Sequence, residues 1–155
     1  MLSQLADVTA TERFGAQLGE ALLAAQLTDS LILFDGDLGA GKTTMVRGLI
    51  HGLGHVGRVP SPTYTLLEPY TIGALPLCHL DLYRLAEASE LEHLGWRDLG
   101  GTLRLVEWSS RAPELARAAD LRVALSLSGN GRQVRVEALS ARAESVIDHL
   151  NAISR

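Results

Sequence analysis

The 155-residue sequence predicts an α/β fold, a mixed sheet with a parallel core, added antiparallel strands and helices on both faces. Three observations predict it. The apolar run Leu31-Ile32-Leu33-Phe34 breaks directly into a glycine-rich turn and then a helical segment, the order that feeds a parallel sheet. Two more apolar runs, Leu77 to Leu80 and Leu103 to Val106, each end in an acid, as strands do whose carboxyl ends gather at one crevice. Towards the end of the chain, Leu121 to Leu127 and Gln133 to Leu139 flank Gly129-Asn130-Gly131, which reads as a hairpin.

The elements follow in order. Thr9 to Ala25 places Phe14, Leu18, Leu22 and Ala25 at helical spacing, with Thr9 and Glu12 as a capping box. After the strand and the turn, a second helix runs to about Leu53, where Gly54 stops it. Gly57 to Tyr64 carries Pro60 and Pro62, and two prolines in three residues hold it as an extended loop. Thr65 to Glu68 and Leu75 to Leu80 read as an antiparallel pair turning near Ile72-Gly73. Glu87 to Leu94 reads as a helix, Leu103 to Trp108 as a strand, and Pro113-Glu114 as the start of a short helix, where the missing proline N–H does no harm. Val146, Ile147, Leu150 and Ile153 mark a final helix. No repeat, low-complexity tract or linker interrupts the chain, so residues 1–155 are expected to form a single domain.

Composition narrows the function classes. Hydrophobic residues at 46% and charged residues at 21% are ordinary globular values, and no apolar run has bilayer length. Met1 to Asp7 has neither the basic start nor the apolar stretch of a secretory signal, so the expectation is a cytoplasmic protein without membrane contact. The one cysteine, Cys78, follows Leu75-Pro76-Leu77 and reads as a buried thiol rather than a nucleophile. A net charge of −4 leaves no basic face for independent nucleic-acid binding. Arg111, Arg117 and Arg122 alternate with Glu114 and Asp120 and read as a solvated face.

The chemistry sits in Gly36-Asp37-Leu38-Gly39-Ala40-Gly41-Lys42-Thr43-Thr44, a Gly-x-x-x-x-Gly-Lys-Thr phosphate loop between a strand and a helix. Gly36, Gly39 and Gly41 permit left-handed turns that point successive N–H groups inward, and the following helix adds its free N-terminal N–H groups and positive dipole end. In this pattern Lys42 reaches the β- and γ-phosphates and the Thr43 hydroxyl binds Mg²⁺, while Thr44 reads as a helix residue rather than a second metal ligand. The expected ligands are a nucleoside triphosphate and Mg²⁺. Hydrolysis further needs an acid at a neighbouring strand end and a group that orients the attacking oxygen. Asp81 and Glu107 both qualify. His79 shares a face with Asp81 if the strand persists, which suits a base or a packed ring. Trp108 either stacks on a base or caps its strand, and Trp96 reads as packing. His51, His55, His93 and His149 show no metal-ligand spacing.

The phosphate loop, then Ser61-Pro62-Thr63-Tyr64-Thr65, His79-Leu80-Asp81-Leu82-Tyr83-Arg84-Leu85 and Glu107-Trp108, in this order and spacing, resemble the TsaE (YjeE) family of P-loop ATPases. The resemblance runs from the first helix to the final hairpin. It implies ATP hydrolysis in the tRNA threonylcarbamoyladenosine pathway, with TsaD and TsaB homologues as partners that modify the adenosine beside the anticodon of tRNAs reading ANN codons. Contact with tRNA would be indirect, through that complex. By position, the resemblance gives phosphate binding to Lys42 and the loop N–H groups, Mg²⁺ to Thr43 and Glu107, and the catalytic role near the γ-phosphate to Asp81. It makes Ser61 to Thr65 a switch-like loop with Thr63 as nucleotide sensor, and puts Trp108 close to the nucleotide. A small-molecule kinase would usually add an acceptor pocket and an arginine-bearing lid; here that stretch, Trp108 to Asp120, is short and unremarkable, which favours hydrolysis. A nucleotide-dependent adaptor, in which turnover is incidental, is the other reading.

Overall fold

The computed structural model describes residues 1–155. Seven strands form one sheet: β1 (Leu2–Leu5), β2 (Leu31–Asp35), β3 (Leu67–Ile72), β4 (Leu75–Asp81), β5 (Leu103–Glu107), β6 (Leu121–Ser128) and β7 (Gly131–Ala138). Their spatial order is β1-β7-β6-β2-β5-β4-β3. The four central strands β6, β2, β5 and β4 are parallel, and antiparallel strands close both edges. The mixed sheet is as the sequence predicts.

Period-two alternation sends side chains of each central strand to two separate cores. Ile32, Phe34, Leu103, Leu105 and Val123 pack under three helices, α1 (Val8–Ala24), α2 (Lys42–Gly52) and α4 (Glu144–Ile153). Leu31, Leu33, Cys78, Leu80 and Val106 pack under the short α3 (Glu90–His93) and the 3₁₀ turns at Pro113–Arg117 and nearby. Helical cover therefore lies on both faces, but it is long on one and fragmentary on the other. No helix is long and apolar enough to cross a membrane.

α2 carries the phosphate loop at its N-terminus, and α1 clamps it. A Cβ at Gly15 would run into the Met45 carbonyl and one at Gly48 into the Glu12 carbonyl, so the two backbones meet where only glycine fits. The C-terminal residues of β2, β5 and β4 stand side by side. Phe34 and Asp81 both pair with Glu107, which sets the loop after β2 beside two acids.

Several local expectations need correction. α1 is capped by Asp7, not by Thr9 and Glu12: the Asp7 carboxylate accepts the Ala10 N–H at 2.7 Å. β3 starts at Leu67 and reaches Ile72, beyond the Thr65 to Glu68 expectation, and its partner-free edge tolerates Pro69. Glu87 to Leu94 gives one α-turn only, at Glu90–His93. β1 went unpredicted: at four residues it has little pattern of its own, and β7 supplies its hydrogen bonds. Asp120 and Arg122 are not a solvated face, since Asp120 is buried and Arg122 forms an ion pair with Asp35 at 3.1 Å. Cys78 is buried as expected, and burial pushes its thiol pKa up, although Arg104 opposes this.

Candidate nucleotide site

A cleft of about 330 Å³ opens at the carboxyl ends of β2, β4 and β5. Leu38, Gly39, Gly41, Lys42, Thr43, Thr44, Thr63, Asp81, Glu107 and Trp108 all line it, so the sequence-derived candidates converge on one place. Gly36, Asp37 and Ala40 belong to the loop but do not line the cleft. The Gly36 and Asp37 carbonyls accept hydrogen bonds from the Lys42 ammonium at 2.6 and 2.9 Å, while the Ala40 side chain joins the core. Gly41 caps α2 with φ +105°, a left-handed conformation that side chains disfavour. The N–H groups of Gly41, Lys42, Thr43 and Thr44 have no protein acceptor. They form a cluster of free donors at a helix N-terminus, suited to an anion.

Lys42 is 5% exposed, with Trp108 covering one side: its Nζ lies 4.1 Å from the ring centroid. Burial lowers its pKa, and the charges of Glu107, Asp81, Asp37 and Asp35 oppose that shift. The ammonium thus sits in a pocket of surrounding acid charge. Trp108 takes φ +60° as the chain leaves β5, and Tyr83 packs against it at 4.9 Å between centroids. The structure therefore places Trp108 against Lys42, at the rim of the loop.

Glu107 and Asp81 are both buried, and the groups hydrogen-bonded to them are hydroxyls, an imidazole and backbone, with no lysine or arginine among them. The Thr43 hydroxyl donates to Glu107, 2.9 Å from each carboxylate oxygen, and His79 Nε2 donates to Oε1 at 2.8 Å. His79 is fully buried and its Nδ1 has no partner. Asp81 accepts the Tyr83 N–H at 2.9 Å and the Thr63 hydroxyl at 3.0 Å; Ser61 Oγ in turn lies 2.8 Å from Thr63 Oγ1. The loop is in this way tied to Asp81, although its end is not extended as expected: Thr63 to Thr65 form a turn closed by the Leu66 N–H on the Pro62 carbonyl at 2.7 Å. A hydroxyl and a carboxylate suit Mg²⁺, a hard cation that commonly takes one or two carboxylates and completes its shell with phosphate oxygens and water. No group of three or more His, Cys, Asp or Glu is arranged to hold a metal by itself. Thr43 and Glu107 fit a metal that arrives with phosphates.

One lining residue escaped the sequence reading. Arg132, at the start of β7, reaches across to the loop: Nε donates to the Ala40 carbonyl at 3.0 Å and Nη2 to that of Gly39 at 3.3 Å. Nothing in the local pattern marks it, because a charged residue after a hairpin turn is ordinary. Asp35, which ends β2, points to the opposite face, where it accepts from Ser109 Oγ at 2.6 Å. His51, His55, His93 and His149 lie outside the cleft.

The sequence model described as threonylcarbamoyl adenosine biosynthesis protein TsaE matches residues 5–135. A tRNA threonylcarbamoyladenosine biosynthesis protein TsaE of Haemophilus influenzae is 40% identical over 138 residues, 87% of either chain. One of Nostoc is 45% identical over 114 residues, 70% of this chain and 68% of that one. One of Bacillus subtilis is 35% identical over 122 residues, 78% of this chain and 77% of its own. Among solved structures, Bacillus subtilis YdiB superposes with a TM-score of 0.73 at 26% identity, covering 100% of this chain and 96% of the other.

Proposed function

The chain belongs to the TsaE family, whose place is tRNA threonylcarbamoyladenosine biosynthesis, and on that premise we propose that it is an Mg²⁺-dependent ATPase of that pathway. It acts with TsaD and TsaB homologues, which carry out the transfer to the adenosine beside the anticodon in tRNAs reading ANN codons. Its own contact with tRNA is indirect.

One observation carries the ATPase reading: the Thr43 hydroxyl sits on the Glu107 carboxylate at 2.9 Å, beside a buried ammonium and four unpaired N–H groups. These are the parts that a triphosphate with its metal requires, and they lie within one cleft. The loop N–H groups and Lys42 hold the phosphates, with Lys42 exchanging its bonds to the Gly36 and Asp37 carbonyls for phosphate oxygens. Thr43 and Glu107 would hold Mg²⁺, which when bound would offset charge on the phosphate oxygens. Asp81 orients the attacking water, and Thr63, bonded to it, senses whether the site is filled. Trp108 shields Lys42 from bulk water.

ATP turnover of the purified chain, measured alone and with TsaD and TsaB homologues, tests this reading. Turnover that rises when the partners are added is expected. A chain that neither binds nor hydrolyses Mg·ATP, with or without them, would end it.

A further inference from the structure

We propose that Arg132 is a positioning residue of the phosphate loop, fixing the Ala40–Gly41 peptide so that the Gly41 N–H faces the anion; this rests on the ATP-binding reading above. Arg132 is the second residue of β7, and its guanidinium bonds three carbonyls: Ala40 through Nε at 3.0 Å, Gly39 through Nη2 at 3.3 Å and Gly131 through Nη1 at 3.0 Å. Two of the three belong to the loop.

A trans peptide is planar and carries its C=O and N–H on opposite sides. Holding the Ala40 oxygen on the Arg132 side therefore turns the Gly41 N–H away from it. That N–H has no protein acceptor, and it heads the run of free donors through Thr44. The N–H of the preceding peptide, on Ala40, is already taken by the Asp37 carbonyl at 3.0 Å. The Ala40–Gly41 peptide has no such bond within the loop and is left to be set from outside.

It needs setting. A flip of this peptide turns about ψ of Ala40 and φ of Gly41, and Gly41, already at φ +105°, gives it little steric resistance. A flipped peptide would present the Ala40 oxygen where the Gly41 N–H stood, replacing a donor to the phosphates with a repelling dipole. Lys42 cannot prevent this, because its ammonium bonds Gly36 and Asp37 at the other end of the loop. Arg132 can. Its planar fork spans two successive carbonyls, and it rises from a strand paired on both sides, with β6 and with β1. The loop is thereby braced against the sheet rather than against its own lysine.

The test uses the full chain, a non-hydrolysable Mg·ATP analogue in titration calorimetry, and ¹⁵N relaxation dispersion of the Gly41 amide without nucleotide. Arg132→Gln is expected to bind the analogue about 10- to 100-fold more weakly, the loss typical of hydrogen bonds from a charged group. Its Gly41 amide should show microsecond-to-millisecond exchange that the wild type lacks. Arg132→Lys is expected to lose part of the affinity, since a point charge cannot hold both carbonyls. It decides the matter if Arg132→Gln does not fold. Wild-type affinity in Arg132→Lys and a quiet Gly41 amide would then overturn the proposal. So would a Gln variant whose lost affinity fades with rising salt while Gly41 stays quiet, the mark of a direct charge contact with phosphate. Tight binding by the wild type with no loss in either variant would refute the brace and leave the ATPase reading standing. No binding by the wild type would remove both.

Discussion

Two buried acids at opposite ends of the parallel strands, Asp120 and Glu107, are treated in opposite ways. Asp120, 5% exposed just before β6, accepts the Leu31 N–H at 3.1 Å, the Ser140 hydroxyl at 2.7 Å, and Arg142 Nε and Nη2 at 2.9 and 3.1 Å. Burial alone would raise its pKa, but the bonds from Arg142, Ser140 and Leu31 overcome that and hold it below the ordinary aspartate value. Glu107, 1% exposed, receives one hydroxyl proton shared between its oxygens and one imidazole N–H, and neither lysine nor arginine is bonded to it. A buried carboxylate with a full set of donors is a structural fastener; one with few donors and no bonded lysine or arginine keeps lone pairs that a metal can use. Asp81 is of the second kind, with one backbone and one hydroxyl donor.

The comparison can be broken at the phosphate-loop end first, where effects should be largest. Lys42→Ala removes the only ammonium in the cleft and is expected to lower ATP turnover about 100-fold or more. Normal turnover by the purified variant would show that the cleft is not the site. Glu107→Gln and Asp81→Asn should then separate. The first is expected to weaken Mg·ATP binding about tenfold or more, because a metal ligand is lost, and the second to keep binding while losing hydrolysis. Calorimetry with a non-hydrolysable analogue, paired with turnover, reads both. The opposite split would mean that the two acids exchange roles.

Asp120 sharpens the contrast from the other side. Asp120→Asn should leave nucleotide binding untouched and cost about 2 kcal/mol of stability, the scale of hydrogen bonds to a charged group. Its pH dependence has a definite sign. A carboxyl whose folded pKa is depressed stabilises fully above its unfolded pKa, near 3.8, and loses that contribution as pH falls towards the folded value. Melting curves of wild type and variant should therefore differ most above about pH 4 and converge below it, by the same linkage. A gap that is unchanged down to pH 2 would show that packing, not charge, explains the loss.

The two ends were not equally legible. The phosphate-loop end announces itself because the motif needs glycines, lysine and threonine at fixed spacing, and because Asp81 and Glu107 end apolar runs. Parallel register then does the rest, setting Asp81, Glu107 and Phe34 in one row. The Asp120 end gives no such signal. Its partners, Leu31, Ser140 and Arg142, are scattered along the chain, and an aspartate among arginines looks like surface. Arg132 was hidden for the same reason: its partners Gly39 and Ala40 lie more than ninety positions earlier. β1 and the shortened α3 were missed because tertiary pairing, rather than local periodicity, decides whether four residues are ordered.

The smallest expected effect is at Thr63, and it asks whether Asp81 belongs wholly with Glu107. The Thr63 hydroxyl is the one side-chain donor to Asp81, and Thr63 is the half-buried start of a turn, Thr63 to Thr65, that follows the two prolines and exposes Tyr64. Asp81 is thus coupled to a segment that a partner protein can touch, whereas Glu107 is held by α2 and β4. Thr63→Ala removes that coupling and leaves the carboxylate, the loop N–H groups and Lys42 in place. Basal turnover should change little. Turnover stimulated by TsaD and TsaB homologues should fall about fivefold, the worth of one ordinary hydrogen bond. The measurement is the ratio of stimulated to basal turnover in variant and wild type at saturating partner. Equal losses in both would make Thr63 a general support of the site and would place Asp81, like Glu107, beyond the reach of the loop.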